Sequence, residues 1–178
     1  DKQRPCEHAY AFKLTGFKTS LNTGAATAPP PTPTGPKSPV ARKKTPTLSK
    51  DLTLDAGEAG LSGPKVKTEQ KIPGSTNIGN WGDAGGRVRW KVQIKTEGAY
   101  KVTAVIASRA ASKVAMEADG KTVTADVPNT GGWDQQKTIE MGAITFDKPG
   151  EYELLLRPAN EATWKAINIW KLELTPDP

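Results

Sequence analysis

The stretch RVRWKVQIKTEGAYKVTAVIA, residues 87–107, decides the fold. Val88, Trp90, Val92 and Ile94 alternate with Arg87, Arg89, Lys91, Gln93 and Lys95. That is the period of a strand with one face in a core and the other in water. Glu97-Gly98 supplies a turn, and Tyr100, Val102, Ala104 and Ile106 then resume the alternation, so the segment reads as a β-hairpin. Trp90 falls in the inward phase and is expected in the core.

The same signals continue downstream. Val114, Met116 and Ala118 lead to Asp119-Gly120, a pair that accepts the positive φ angles of a two-residue hairpin loop, and Val123, Ala125 and Val127 return. Residues 139–146 and 152–156 flank a Lys148-Pro149-Gly150 turn. Ile167, Ile169, Trp170, Leu172 and Leu174 close the series, with Trp170 read as core among aliphatics. The inward phase slips by one between Ile169 and Trp170, as a β-bulge or burial on both faces would require. Upstream, residues 51–55 and 65–69 add two more strands. No segment has helical periodicity. The reading is an all-β antiparallel sandwich of jelly-roll type with about eight or nine strands.

Working outward, the sandwich is expected over residues 51–178. Before it, residues 25–50 carry proline at 29, 30, 31, 33, 36, 39 and 46. Each proline fixes φ and removes a backbone donor, so this Pro/Thr/Lys-rich stretch reads as a semi-rigid linker. An SH3 or WW ligand is the alternative. Residues 1–24 hold a short alternation at Tyr10, Phe12 and Leu14, readable as the tail of an upstream domain or as an extra strand.

The 178-residue chain carries 25 Lys/Arg against 19 Asp/Glu. The excess belongs to residues 1–55, with nine cations against four acids, while the rest has sixteen against fifteen. A nucleic-acid domain carries its basic face on the folded part, so no nucleic-acid partner is expected. No apolar run approaches the roughly 18–20 residues of a membrane span. Cys6 is the single cysteine, which excludes an internal disulfide. His8 is the single histidine and lies outside the sandwich, which excludes a Ser-His-Asp or Cys-His arrangement within it. No Cys/His cluster suits zinc. Gly82-Asp-Ala-Gly-Gly86 lacks the Lys-Ser/Thr and following helix of a phosphate loop. The reading is therefore a binding domain and not an enzyme.

The order of several short motifs resembles carbohydrate-binding modules of the family 6 and 35 type, over about residues 51–176. The motifs are Ile78-Gly-Asn-Trp81, Val88-Arg-Trp90-Lys-Val92, Gly98-Ala-Tyr100-Lys-Val102, Val127-Pro-Asn-Thr-Gly-Gly-Trp133, Leu155-Leu-Arg-Pro158 and Ala166-Ile-Asn-Ile-Trp-Lys-Leu-Glu-Leu174. The resemblance implies a galactose-binding-like β-sandwich, appended to glycoside hydrolases, fucosidases or sulfatases, that holds polysaccharide without catalysis. It implies an extracellular or periplasmic protein, a monomer, with an attached catalytic domain. Three positions depart from the family pattern. Gln136 stands where a second stacking Trp follows the Thr-Gly-Gly-Trp loop, while Gly57 and Trp170 stand where two calcium-binding carboxylates occur. A structural calcium, which needs 6–8 oxygen ligands, is accordingly not favoured.

A sugar presents an apolar C–H face and a rim of hydroxyls, so its site needs a flat aromatic beside hydrogen-bonding groups. Trp81, Trp133 and Trp164 each sit in a polar or Gly-rich loop; the alternative for each is a ring folded back as a lid on the core, and for Trp164 exposure is favoured. With Asp83, Asn129, Asp134 and Asn160 they form the candidate sugar site if loops 78–86, 128–136 and 158–165 converge. Asn80, Gln135 and Glu161 lie in the same loops, and Arg109 and Lys113 could add a positive edge. The alternative function is a structural or protein-interaction sandwich that packs on a catalytic domain and binds no sugar.

Overall fold

The computed structural model describes residues 48–49, by backbone, and residues 52–177. The expectations for residues 1–24 and for most of 25–50, with Cys6 and His8, lie outside the described residues.

Among the described residues there are twelve strands and one 3-10 turn. They are β1 (Leu48–Ser49), β2 (Thr53–Asp55), β3 (Gly60–Ser62), β4 (Lys67–Ile72), β5 (Ser75–Gly79), β6 (Arg87–Ile94), β7 (Gly98–Ala107), β8 (Ser112–Ala118), β9 (Lys121–Val127), β10 (Lys137–Phe146), β11 (Gly150–Pro158) and β12 (Asn168–Asp177). The 3-10 turn spans Ala56–Glu58. All nine expected strands are present, and β1, β3 and β5 are additional. β1 and β3 are too short to show a period, and β5 (STNIG) has polar residues on both sides of its alternation.

Two sheets face each other. Sheet A runs β1-β6-β11-β8-β9, with β3 also on β6, and sheet B runs β10-β7-β12-β5-β4, with β2 also on β12. The pairs are antiparallel except β1 on β6, where Leu48 and Ser49 lie beside Lys91 and Val92. Pairing with the sandwich thus reaches two residues that composition assigns to the linker.

The alternation read in residues 87–107 places the core. Val88, Trp90, Val92 and Ile94 are buried from β6, and Tyr100, Val102, Ala104 and Ile106 from β7. Trp90 is fully enclosed, and its indole nitrogen donates to Asp55 O at 2.9 Å. Burying such a ring stabilises by about 1.5–3 kcal/mol, provided its N–H finds an acceptor. The outer side of sheet A carries the matching charges in pairs, including Arg89–Glu153, Lys91–Glu151 and Arg157–Glu117.

The expected turn at Asp119-Gly120 has φ of 51° and 70°, and it joins Ala118 to Lys121 across β8 and β9. The phase slip in the closing strand is a β-bulge. Ile169 pairs with Ile106 and Lys171 with Val105, which leaves Trp170 as the extra residue. Trp170 is 5 % exposed, yet it is absent from the core cluster. It is among the buried hydrophobic residues, as read from the sequence, although it stands apart from the main cluster.

Candidate functional site

The site lies where the loop after β5, the loop after β9 and the start of β12 meet. Thr130 anchors the second of these loops. Its Oγ1 accepts from Ser108 N at 2.9 Å, and its own N–H donates to Ser108 O at 2.8 Å. Ser108 is fully buried at the end of β7, with its hydroxyl within hydrogen-bond reach of Ala110 O (2.6 Å) and Ala166 O (3.1 Å). Asn168, also buried, donates its side-chain N–H to Trp133 O at 2.7 Å. Trp133 is therefore held by the backbone on both sides of its glycines and stays half-buried, so its placement does not depend on packing its ring into the core.

Trp133 shares a cleft of about 230 Å³ with Glu69, Lys71, Asn80, Gly82, Ala166 and Asn168. Glu69 and Lys71 come from β4, where the pairing with β5 shifts register between Glu69 and Ile72. Asn77 supports that irregular segment by accepting from Lys71 N at 2.9 Å. Gly79 makes room beneath the cleft, because a Cβ there would collide with Glu69 Oε1 and lie 2.6 Å from Asn168 Oδ1. Two oxygens thus converge over one glycine. Glu69 Oε1 is buried without a hydrogen-bond donor, and Lys71 Nζ stands 3.5 Å away, at ion-pair distance but outside hydrogen-bond geometry. A buried carboxylate oxygen with no donor is free to accept a ligand hydroxyl.

The other two loop tryptophans are elsewhere. Trp81 has no exposure and Trp164 is 8 % exposed. Their ring centroids are 5.1 Å apart at 53°, and Trp164 Nε1 donates to Trp81 O at 2.8 Å. The expected exposure of Trp164 is thereby corrected: the loop that carries it folds back, and the pair seals the end of the core. Gly86 serves the same packing, since a Cβ there would strike Trp81 Nε1. The glycine-rich run 82–86 is space for an indole.

Three of the predicted polar groups bind their own loops. Asp83 Oδ1 accepts from Gly85 N, Asn129 Oδ1 from Gly131 N and Asn160 Oδ1 from Ala162 N, at 2.7, 2.8 and 2.9 Å. Asp134 is exposed and does not line the cleft. Loops 78–86 and 128–136 converge as required, whereas loop 158–165 contributes Trp164 from beneath and not a wall. Lys113 pairs with Asp126 at 3.1 Å, and neither Arg109 nor Lys113 lines the cleft. Glu69 and Lys71 were missed, and no sequence signal marks them. Asn168 was visible as part of the closing motif but was not assigned to the site.

Gln136, Gly57 and Trp170, the three departures from the family pattern, line a different cavity together with Asp55 and Lys171. Asp55 is the one carboxylate in that lining, and no group of three or more His, Cys, Asp or Glu suited to a metal occurs among the described residues. With a glycine and an indole where carboxylates would be needed, these residues do not fit the calcium that the family pattern implies.

A two-sheet sandwich with a tryptophan and convergent hydrogen-bonding groups in its end loops defines the class of non-catalytic sugar-binding modules. The chain belongs to carbohydrate-binding module family 6, whose description matches residues 57–175. It is a non-catalytic carbohydrate-binding module. Similar solved structures include a module of Cellvibrio mixtus lichenase 5A in complex with cellotriose (22 % identity, TM-score 0.58, covering 71 % of this chain and 97 % of that one). A β-1,3-glucan binding module from Bacillus halodurans matches at 22 % identity and TM-score 0.58, over 74 % and 99 %. A family 35 module from Clostridium thermocellum matches at 16 % and 0.59, over 70 % and 97 %. No curated protein matches the chain.

Proposed function

We propose that the Trp133 cleft receives one ring of a polysaccharide, stacked on the indole, with its hydroxyls held by Glu69, Asn168, Asn80 and Lys71. The observation that carries this is the buried Glu69 Oε1, which receives no hydrogen bond, in a cleft shared with a half-buried tryptophan. At about 230 Å³ the cleft is smaller than the roughly 300–1,000 Å³ of drug-sized sites, which suits a single ring or a chain end. The wider role is to hold an attached secreted enzyme, outside the cell or in the periplasm, on its substrate. The proline-rich residues 25–50 support this as a spacer, and one solved neighbour is a module of a lichenase. Among the described residues no helix is long and apolar enough to cross a membrane.

Calorimetric titration with cellotriose, β-1,3-galactotriose and a β-1,3-gluco-oligosaccharide tests the reading. Trp133→Ala is expected to weaken binding about 30-fold, the effect of losing a ~2 kcal/mol hot spot. Undiminished affinity in that variant would remove the site. Absence of binding by the wild type to any of the three would leave a sandwich that packs on a partner domain.

A further inference from the structure

Among the described residues, four buried side-chain nitrogen or oxygen atoms have no hydrogen-bond partner: Glu69 Oε1, Asn77 Nδ2, Trp81 Nε1 and Trp170 Nε1. Three of them stand in one row. Glu69 on β4 pairs with Asn77 on β5. Ile169 on β12 pairs with Ile78, so the next residue, Trp170, comes opposite Asn77 in the antiparallel ladder. Trp170 also shares a cavity wall with Ser75 and Thr76, which lead to Asn77. Ile78 and Ile169 belong to the core, which puts Glu69, Asn77 and Trp170 together on the outer face of sheet B. Side chains opposite one another have Cβ atoms about 4.5–5.5 Å apart, close enough for one small molecule to bridge their ends. Asn77 has no exposure and Trp170 only 5 %, so bulk solvent does not serve them.

The three groups are complementary in kind. Asn77 Oδ1 accepts from Lys71 N at 2.9 Å, which fixes the amide and leaves Nδ2 as a donor. Trp170 Nε1 can only donate, and unlike those of Trp90 and Trp164 it meets no carbonyl. Glu69 Oε1 is an acceptor. Two donors and one acceptor suit a single water, which accepts twice and donates once; about three bonds is usual for a buried water. The two N–H groups reject a metal ion, and the carboxylate rejects an anion. A carboxylate oxygen accepts more than one hydrogen bond, so Oε1 can take the water from the sheet and a ligand hydroxyl from the cleft. Lys71 Nζ, 3.5 Å away and partly exposed, would otherwise draw the carboxylate outward.

We propose that Asn77 and Trp170 are positioning residues for the Glu69 carboxylate, acting through one enclosed water that the three side chains hold. Neither residue lines the Trp133 cleft, so each affects a saccharide only through Glu69. The inference rests on the saccharide reading of that cleft, and the two can fail separately.

The water is tested on the full chain without sugar. Nuclear Overhauser transfer from water to the Trp170 indole N–H is expected, opposite in sign in the laboratory and rotating frames, which separates a resident water from proton exchange. Asn77→Asp keeps the acceptor for Lys71 N and replaces the donor with a second acid; it is expected to abolish that transfer and to weaken oligosaccharide binding about tenfold. Trp170→Phe keeps a ring and removes only the N–H donor, so it serves should the first variant fold poorly; a loss of about fivefold is expected. In a Glu69→Ala background neither substitution should lower affinity further, an outcome that a general loosening of the fold would not give. Equal losses in both backgrounds, or no water transfer in a wild-type chain that binds sugar, overturns the inference and leaves the Trp133 cleft intact. A wild-type chain that binds none of the same three oligosaccharides overturns the cleft and the positioning role together.

Discussion

Trp81 with Trp164, and Trp133 with Asn168, lie at the same end of the sandwich and come from equally polar loops, yet they do opposite things. In the first pair the rings touch each other, the backbone supplies the hydrogen bond, and Gly86 clears space for an indole. In the second the backbone of the loop is tied down and the ring is left half in solvent, beside a carboxylate oxygen that has no donor. The difference teaches that a loop tryptophan is assigned by what holds its backbone. A ring whose loop is anchored independently is available to a ligand, and a ring that is itself the anchor is not.

The largest effect should come from breaking the first pair. Trp81→Ala or Trp164→Ala empties a fully packed site and is expected to destabilise the fold by about 3–5 kcal/mol, measured by urea denaturation. Trp133→Ala sharpens the contrast. Its loss of unfolding free energy is expected to be no more than about 1 kcal/mol, so a cost comparable to that of Trp81 would erase the distinction. Next in size is Glu69→Ala. Removing a charged acceptor costs a ligand about 1.5 kcal/mol, or some tenfold in affinity, while stability stays level or rises because a buried oxygen that receives no hydrogen bond is removed. A parallel fall in stability would show Glu69 to be structural.

The smallest effect lies outside both regions and serves as a control. The hydrogen bond and charge of Glu140 raise the pKa of Lys101, and the hydrogen bond that Lys121 donates to Asp147 leads the causes that raise that of Lys121. A raised lysine pKa means that the native state holds its proton more tightly than the unfolded chain. The contribution is therefore complete below the ordinary value of about 10.4 and fades as pH climbs through the raised value. Both side chains reach solvent, so the wild type should have only a slightly higher Tm than Glu140→Gln at pH 9, and the gap should narrow as the pH rises through the raised value. Sugar affinity should not differ between the two proteins at pH 7.

Most of the fold was legible because strands are local. The alternation of Val88 to Ile94 and of Tyr100 to Ile106, and the Asp119-Gly120 turn, depend on neighbours in the chain. The missed strands β1, β3 and β5 are short or polar and exist because longer strands beside them offer partners. The site was legible in part. Trp133 was singled out and lines the cleft, and two of the three loops do converge, but Asp83, Asn129 and Asn160 are consumed by turns of their own loops, a use that the same polar side chains serve as readily as ligand binding. Glu69 and Lys71 sit in an unremarkable charged strand and reach the cleft through a register shift.

By itself, the sequence determined an all-β sandwich, its hairpins and its core phase, since period-2 alternation and turn chemistry are properties of contiguous residues. It also showed the phase slip at Trp170 without showing its direction. Only the tertiary structure decided which loop ring was core and which was open, and which polar groups were left without partners. It also decided that the bulge turns Trp170 outward beside Gln136 and Gly57. Those outcomes depend on chain segments far apart in sequence competing for the same space, and no local pattern records that competition.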